Sequence, residues 1–258
     1  MNRGAPDGAK RILVTNDDGI DAPGIAALCA VLSRLGDVTV AAPDREHSGA
    51  SHALTFRRPL RVRKHSERRY AIDGTPTDCV HLAVFQLVAG GPPDLVVSGI
   101  NRGYNLGDDV TYSGTVAGAL EGTLLRVPSL AISAGFDAGE PDYDVAARVA
   151  AGLCTEVLRR GLAPGTFLNV NVPPGRPCGI RVTRQGSRTY RAAVVERTDP
   201  KGEPYYWIAA ADAVPADEAD GDHVAVRDRY VSVTPLHADL THVPSLAALS
   251  SWNLEIVP

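Results

Sequence analysis

Near its amino terminus the chain reads Ile12-Leu13-Val14-Thr15-Asn16-Asp17-Asp18-Gly19. The apolar, β-branched start predicts a buried strand, and the strand ends in two adjacent carboxylates and a glycine. In open α/β folds, ligands bind at the carboxyl edge of the strands. Neighbouring carboxylates repel each other, so they commonly share a proton or a cation, and oxygen-only ligands suit Mg²⁺, Mn²⁺ or Ca²⁺. A solvated Asp-Asp-Gly turn or a helix cap is the alternative interpretation of these residues.

Strand and helix patterns alternate in the sequence that follows this stretch. An apolar stripe with an early proline predicts a helix at 21–36, and a capping box with proline at the first helical position opens a helix at 75–88. Further strand patterns lie at 38–42, 94–98, 129–133 and 166–172, and further helix patterns begin near Ser113 and span 144–160. Two short basic pieces within 60–72 predict a hairpin. The alternation predicts an α/β fold, with a mostly parallel sheet and helices on both of its faces.

The last third of the chain has a different pattern. Strand-like segments at 180–184, 190–196 and 205–209, with a turn at 198–202, predict a projecting C-terminal β-hairpin, and a loop at 214–221, a strand at 230–234 and a short helix at 245–251 follow. We therefore divide the chain into a polar, disordered tail at 1–10, a catalytic α/β core at 11–178 and a C-terminal hairpin and oligomerisation segment at 179–258. The last strand of that segment returns to the core.

The predicted hairpin carries several large aromatic residues, namely Tyr190, Tyr205, Tyr206 and Trp207. An exposed aromatic surface usually meets a partner chain, and an isolated hairpin is marginally stable in water. We therefore expect a homodimer, or a tetramer built from two dimers, in which the chains exchange their hairpins.

Composition excludes several classes of function. The 258 residues carry a formal net charge of −4, so no basic surface favours a nucleic-acid polymer. No apolar run reaches the length of a membrane span, and no signal-peptide pattern precedes the first strand. The cysteines lack CxxC spacing, which disfavours a zinc site and is typical of reduced thiols: Cys29, Cys79, Cys154 and Cys178. We expect a cytoplasmic protein that binds neither nucleic-acid polymers nor membranes.

Oxygen-bearing side chains follow several of the predicted strands. Asp17 and Asp18 follow the first strand, Ser48 lies in the loop after the second, and Asn101 follows the strand at 94–98. Because loops after parallel strands meet at one edge of the sheet, we expect these side chains to lie close together, as ligands of Mg²⁺ or Mn²⁺. For the loop at 44–51, a network of ion pairs is the alternative.

A second polar segment lies at 98–115. Its end, Ser113-Gly114-Thr115, opens a predicted helix, and small residues at a helix start present free backbone N–H groups to an anion. The same residues also suit an ordinary helix cap. No Walker A or GxGxxG fingerprint is present. Among the histidines, His81 is expected to be structural, while His223, which follows Asp222, is either catalytic or merely exposed.

Segments spread over nearly the whole chain resemble the SurE family of metal-dependent nucleotide phosphatases. In order, they are Asn16-Asp17-Asp18-Gly19, the stretch from Ala42-Pro43-Asp44-Arg45 to Ser48-Gly49-Ala50-Ser51, Gly74-Thr75-Pro76-Thr77-Asp78-Cys79-Val80, Ser98-Gly99-Ile100-Asn101-Arg102-Gly103-Tyr104-Asn105, Tyr112-Ser113-Gly114-Thr115-Val116, Asn169-Val170-Asn171-Val172-Pro173 and Val231-Ser232-Val233-Thr234-Pro235-Leu236. The number and order of these segments make the resemblance specific.

The resemblance implies a Rossmann-like domain with a swapped C-terminal hairpin, dimers or tetramers, and one divalent ion, Mg²⁺ or Mn²⁺, in each subunit. It implies hydrolysis of nucleoside 5′- and 3′-monophosphates, and it leaves open a side activity on polyphosphate. Carried over to this chain, the family's metal ligands are Asp17, Asp18, Ser48 and Asn101, and its phosphate-side residues are Asn105, Ser113, Gly114 and Thr115. Catalytic roles then fall to Asp17 or Asp18, which would orient or deprotonate water, and to Asn105 and Ser113, which would stabilise charge on phosphate.

Two other functions remain as alternatives. In the first, Asp17 is a covalent nucleophile, as in haloacid-dehalogenase-like phosphatases, but those enzymes use an Asp-x-Asp spacing, which the adjacent Asp17-Asp18 does not give. In the second, the protein is a non-enzymatic nucleotide-binding regulator, which leaves the doubled aspartate unexplained.

Overall fold

The structure is a computed structural model that describes residues 8–189, 192–210, 214–215, 218–252, 254 and 256. Its fold is built on a nine-stranded sheet. The strands are β1 (Lys10–Thr15), β2 (Gly36–Pro43), β3 (Val62–Ser66), β4 (Arg69–Ile72), β5 (Leu95–Arg102), β6 (Ser129–Ala134), β7 (Thr166–Val172), β8 (Ile180–Val182), β9 (Arg188–Thr189), β10 (Ala192–Thr198), β11 (Pro204–Ala210), β12 (Val214–Pro215) and β13 (Val231–His237). The α-helices are α1 (Pro23–Leu32), α2 (Pro76–Leu82), α3 (Gly114–Leu124), α4 (Tyr143–Arg160), α5 (Asp222–Arg227) and α6 (Val243–Ser250), with a π-helical turn at Ala83–Leu87 and a 3₁₀ turn at Gly107–Thr111.

The sheet is mostly parallel, as the alternation of patterns predicts. Its strand order is β3-β4-β2-β1-β5-β6-β7-β13-β8, and the six strands from β4 to β7 in this order run parallel to their neighbours. Antiparallel β3 closes one edge as the predicted hairpin with β4. At the other edge β13 runs antiparallel to β7, and β8 pairs with β13.

Helices cover both faces of the sheet, and β1 shows why its sequence is apolar throughout. Ile12 and Val14 point to the face that α1 and α4 cover, and Leu13 points to the opposite face, against α2. Alternate side chains of a strand lie on opposite faces, so a strand covered on both sides needs a continuous apolar run. This packing fixes the position of Asp17 and Asp18 at the carboxyl edge of a central strand.

Several helix and strand ends differ from the predicted ones. Helix α1 ends at Leu32, and Gly36, predicted to stop it, instead starts β2, where a Cβ would lie 2.1 Å from the carbonyl oxygen of Lys10. Strand β5 continues to Arg102 instead of ending at 98. The pairing of β5 with β6 is irregular around Gly99. Gly99 has a φ of +136°, and a Cβ there would lie 2.3 Å from the carbonyl oxygen of Ile132, so only glycine fits at this position.

The amino-terminal end of the described chain is more regular than expected. β1 already begins at Lys10, inside the predicted tail, and residues 1–7 lie outside the described part. Among the described helices, none has both the length and the apolar character that a bilayer crossing requires.

The C-terminal hairpin is present, and its aromatic side chains are exposed. β10 and β11 pair with each other in a separate two-stranded sheet. Tyr205, Tyr206 and Trp207 are 43%, 58% and 64% exposed, while Tyr190 lies outside the described residues. Within the predicted loop at 214–221, β12 pairs with β9, and α5 follows where no helix was predicted.

Candidate functional site

Asp17 and Asp18 lie on a tight turn at the carboxyl end of β1. The side-chain amide of Asn16 donates to the carbonyl oxygen of Gly19 at 2.8 Å, and Gly19 has a φ of +102°. This conformation favours glycine, and it turns the backbone immediately after the two aspartates. The turn is the condition under which two adjacent side chains of a strand can face one ion.

Burial and mutual repulsion both act on this pair of carboxylates. Asp17 is buried, and its Oδ1 accepts the hydroxyl hydrogen of Thr115. Burial raises the pKa of Asp17 above its ordinary value. Burial and the neighbouring charge of Asp17 raise the pKa of Asp18 to about 6. Two carboxylates in this arrangement gain from any positive charge placed between them.

The loop after β2 and the end of β5 reach the same turn. The backbone N–H of His47 donates to the carbonyl oxygen of Asp17 at 2.8 Å, which brings the loop that carries Ser48 to this turn. From the other side, the backbone N–H of Arg102 donates to Asp18 Oδ2 at 3.4 Å, which brings up the neighbouring Asn101. The structure therefore brings together the segments that carry the four predicted ligands.

Hydrogen bonds orient the side chains of the other two predicted ligands, Ser48 and Asn101. Ser48 Oγ donates to Glu46 Oε1 at 2.8 Å, and Asn101 Nδ2 donates to the Gly103 carbonyl at 3.0 Å, so the Asn101 amide oxygen is the atom left for a cation. Glu46 is a residue that sequence reasoning missed, and its charge also raises the pKa of both aspartates. Within the described chain, no three His, Cys, Asp or Glu side chains form a metal-binding group. The predicted set needs only two carboxylates, beside a hydroxyl and an amide.

The start of α3 packs directly against Asp17. A Cβ on Gly114 would lie 2.8 Å from Asp17 Cβ and 2.9 Å from Asp17 Oδ2, so only glycine allows this approach. Ser113 is the helix cap, and its Oγ accepts the Val116 N–H at 3.1 Å. The hydroxyl and the backbone N–H of Thr115 both hydrogen-bond to Asp17, so Thr115 holds this aspartate against the start of α3.

Asn105 lies in a buried network of asparagines. Its backbone N–H donates to Asn171 Oδ1 at 2.8 Å, and its carbonyl accepts from the side chains of Asn169 and Asn171 at 2.8 and 3.0 Å. Its side-chain Nδ2 donates to Ser133 Oγ at 2.8 Å, which uses one of the two amide hydrogens. Polar residues at alternate positions of the apolar strand β7 are the sequence signal that could have located this support.

The loop that carries Ser48 is tied to α3 on its far side. Ser51 Oγ donates to the Thr111 carbonyl at 2.7 Å, and His52 and His81 contact the two oxygens of buried Glu121 at 2.8 and 2.7 Å. Burial alone would raise the pKa of Glu121, but the hydrogen bonds from the two histidines outweigh it and hold the pKa below its ordinary value. The contact of His81 with Glu121 is compatible with the structural role expected for it. His223, by contrast, is buried in α5 and not exposed.

Comparisons with known proteins agree on one family. The sequence profile described as "Survival protein SurE" matches residues 12–192. A chain from Geobacter sulfurreducens described as "5'-nucleotidase SurE" is 52% identical over 246 residues, which are 94% of each chain. A chain of the same description from Syntrophotalea carbinolica is 53% identical over 245 residues, covering 94% of this chain and 97% of the relative.

A solved structure gives the same result for the fold. The crystal structure of the SurE protein from Aquifex aeolicus superposes with a TM-score of 0.82 at 44% sequence identity, over 93% of this chain and 98% of the other. The similarity extends over nearly the whole length of both chains, so it includes the carboxyl edge of the sheet and the segments that meet there. This chain belongs to the SurE family.

Proposed function

We propose that this protein is a divalent-metal-dependent phosphatase that hydrolyses nucleoside 5′- and 3′-monophosphates. The observation that carries the proposal is the contact between Asp17 and the start of α3, which sets two carboxylates beside the first turn of a helix. Such a site suits a cation and a phosphate side by side. The name 5'-nucleotidase carried by relatives about half identical to this chain supports the 5′-monophosphate activity.

The donor chemistry of the site fits a hard divalent cation. We assign one Mg²⁺ or Mn²⁺ per subunit to the carboxylates of Asp17 and Asp18, the hydroxyl of Ser48 and the amide oxygen of Asn101, all oxygen ligands. The raised pKa of both carboxylates supports this assignment, because a bound cation removes the cost of holding two negative charges together. The chemistry that such an ion supplies when bound is polarisation of a phosphate oxygen and a lower pKa for water.

Side chains of the protein orient the attacking water and stabilise charge on the phosphate. Asp17 is held by the Thr115 hydroxyl, whereas Asp18 is less buried and more accessible to water. We assign to Asp18 the orientation of the water that attacks phosphorus and the acceptance of its proton. The P–O bond to the nucleoside breaks as the new bond forms, and the proton passes to the ribose oxygen that leaves. The Ser113 hydroxyl, the Asn105 amide and the backbone N–H of Gly114 stabilise charge on the equatorial oxygens of phosphate, while Thr115, also predicted on the phosphate side, holds Asp17 beside them. No covalent bond to the protein forms in this scheme.

Assembly and location complete the proposal. The exposed aromatic side chains of the hairpin support a homodimer or tetramer formed by hairpin exchange, in which the partner's hairpin helps to hold the base and ribose. All four cysteines are free, which supports the reducing environment of the cytoplasm.

A phosphate-release assay tests the function. The protein is stripped of metal with a chelator, and release is measured over nucleoside 5′- and 3′-monophosphates and polyphosphate, with and without Mn²⁺ or Mg²⁺. We expect metal-dependent release from the monophosphates, and a loss of about 100-fold or more in Asp17→Asn, since a ligand and a charge are removed together. Asp21→Asn, which changes an exposed carboxylate nearby, is the matched control. Release that persists without metal, or none from any nucleotide, would overturn the proposal.

A further inference from the structure

The carboxylate of Asp222 is buried at the start of α5, outside the site described above, and its side chain has no exposed surface. Oδ2 accepts the backbone N–H of Gly107 at 2.9 Å, while Oδ1 accepts those of Gly186 and His223 at 3.1 and 2.8 Å. A buried carboxylate is costly unless its oxygens are hydrogen-bonded. Asp222 therefore joins the turn at Gly107 to the base of the hairpin segment at Gly186.

Gly107 is held on its other side as well. The side-chain amide of Gln185 donates to the Gly107 carbonyl at 2.9 Å, so both backbone groups of this glycine are hydrogen-bonded by the C-terminal segment. Gly107 has a φ of +53°, and a Cβ there would lie 2.7 Å from His223 Nε2. We call Asp222, Gln185 and Gly107 the clasp.

The clasp acts on the segment that joins the proposed phosphate donors. Gly107 begins the 3₁₀ turn Gly107–Thr111, which leads from Asn105 to Ser113 at the start of α3. The asparagines of β7 fix the Asn105 end, and the capped helix fixes the Ser113 end. Between these two ends, the hydrogen bonds of the clasp fix the backbone at Gly107.

We infer that Asp222 is a positioning residue for the phosphate side of the site. It holds the turn so that the donors at Asn105 and at Ser113 face the same phosphate, an inference that rests on the proposed function of those residues. A displacement of about 1 Å in such a contact can cost about 100-fold in rate. Loss of the clasp therefore weakens phosphate contacts and leaves the two aspartates of the metal site untouched.

The experiment compares wild type, Asp222→Ala, Asp222→Asn and the control Asp228→Asn. Asp228 lies directly after the same helix, is exposed and pairs with Arg181 at 2.8 Å. The measurements are kcat, KM for a nucleoside monophosphate, Ki for inorganic phosphate, Mn²⁺ affinity by calorimetry and hydrogen–deuterium exchange at 105–113. For Asp222→Ala we expect KM and Ki to rise about 10- to 100-fold, exchange at 105–113 to increase, and Mn²⁺ affinity to stay within about twofold. Asp222→Asn keeps one acceptor oxygen, so its KM and Ki should lie between those of wild type and Asp222→Ala. The control Asp228→Asn should match wild type.

Equal KM and Ki in wild type and Asp222→Ala would overturn the inference. A parallel loss of Mn²⁺ affinity would also overturn it, because Asp222 would then support the fold in general. If Asp222→Ala does not fold, Gln185→Ala, which removes only the hold on the Gly107 carbonyl, replaces it; a smaller rise in Ki is expected, and an unchanged Ki contradicts the inference. A wild-type protein that neither hydrolyses nucleotides nor binds phosphate would overturn the proposed function itself, and so the role of Asp222 with it.

Discussion

The metal-free protein should become more stable when Asp18 is changed to Asn. Asp17 and Asp18 are adjacent, and burial together with the charge of Asp17 raises the pKa of Asp18 to about 6. In the unfolded chain the pKa returns to its ordinary value of 3.8. Because the folded-state pKa is the higher one, ionisation of Asp18 destabilises the fold. This cost is absent below about pH 4, grows between pH 4 and 6 and is complete at neutral pH.

The size of the effect follows from this shift. A change of about two pKa units corresponds to about 3 kcal/mol at 1.36 kcal/mol per unit. Asp18 keeps contact with water, so solvent screening reduces the free-energy cost of its ionisation in the folded state to about 1–2 kcal/mol. For a chain of this length, that is a rise of about 3–6 °C in Tm at neutral pH.

Thermal unfolding in a chelating buffer measures the effect, at pH values from 4.5 to 8. Asp18→Asn should gain stability over wild type as pH rises, while Asp21→Asn, at an exposed neighbouring carboxylate, should not. Saturating Mn²⁺ should reverse the order, because binding to the folded state stabilises wild type and far less the variant. If Asp18→Asn is less stable than wild type at pH 8 without metal, or if the difference in stability does not depend on pH, then ionisation of Asp18 does not destabilise the fold.

Three further predictions test other parts of the account. Gly114→Ala places a methyl group within 3 Å of Asp17, so we expect Mn²⁺ affinity to fall about tenfold or more by calorimetry, with Gly152→Ala, where a Cβ has open space, as the control. Single turnover in ¹⁸O-water should put the label into phosphate, and label recovered in Asp17 would favour the covalent alternative. Sedimentation at micromolar concentration should show a dimer or tetramer, and Trp207→Glu should shift it towards monomer, since Trp207 is exposed on the hairpin; a wild-type monomer would contradict hairpin exchange.

The sequence predicts the convergence of the site segments because parallel strands end at one edge of the sheet. Asp17 and Ser48 follow two such strands, and Asn101 lies in the last part of a third, β5. His47 and Arg102 make the backbone contacts that join these segments. The capping box at Thr75 and the cap at Ser113 were likewise predictable, because caps depend on residues close together in the chain.

Contacts between distant parts of the chain were beyond sequence reasoning. The hydrogen bond from Gly107 to Asp222 joins residues 115 positions apart, and no local pattern encodes such a pair. Helix α5 has only six residues, too few for an apolar period to stand out. The continuation of β5 through Gly99 depends on the neighbouring carbonyl of Ile132, which the sequence of β5 does not contain.

Anomalous diffraction from crystals soaked in Mn²⁺ locates the metal site without reference to activity. We predict one manganese peak per chain, within coordination distance of carboxylate oxygens from both Asp17 and Asp18, with Ser48 and Asn101 completing the protein ligands. A peak elsewhere in the molecule, or no peak beside the two aspartates at saturating Mn²⁺, would contradict this prediction.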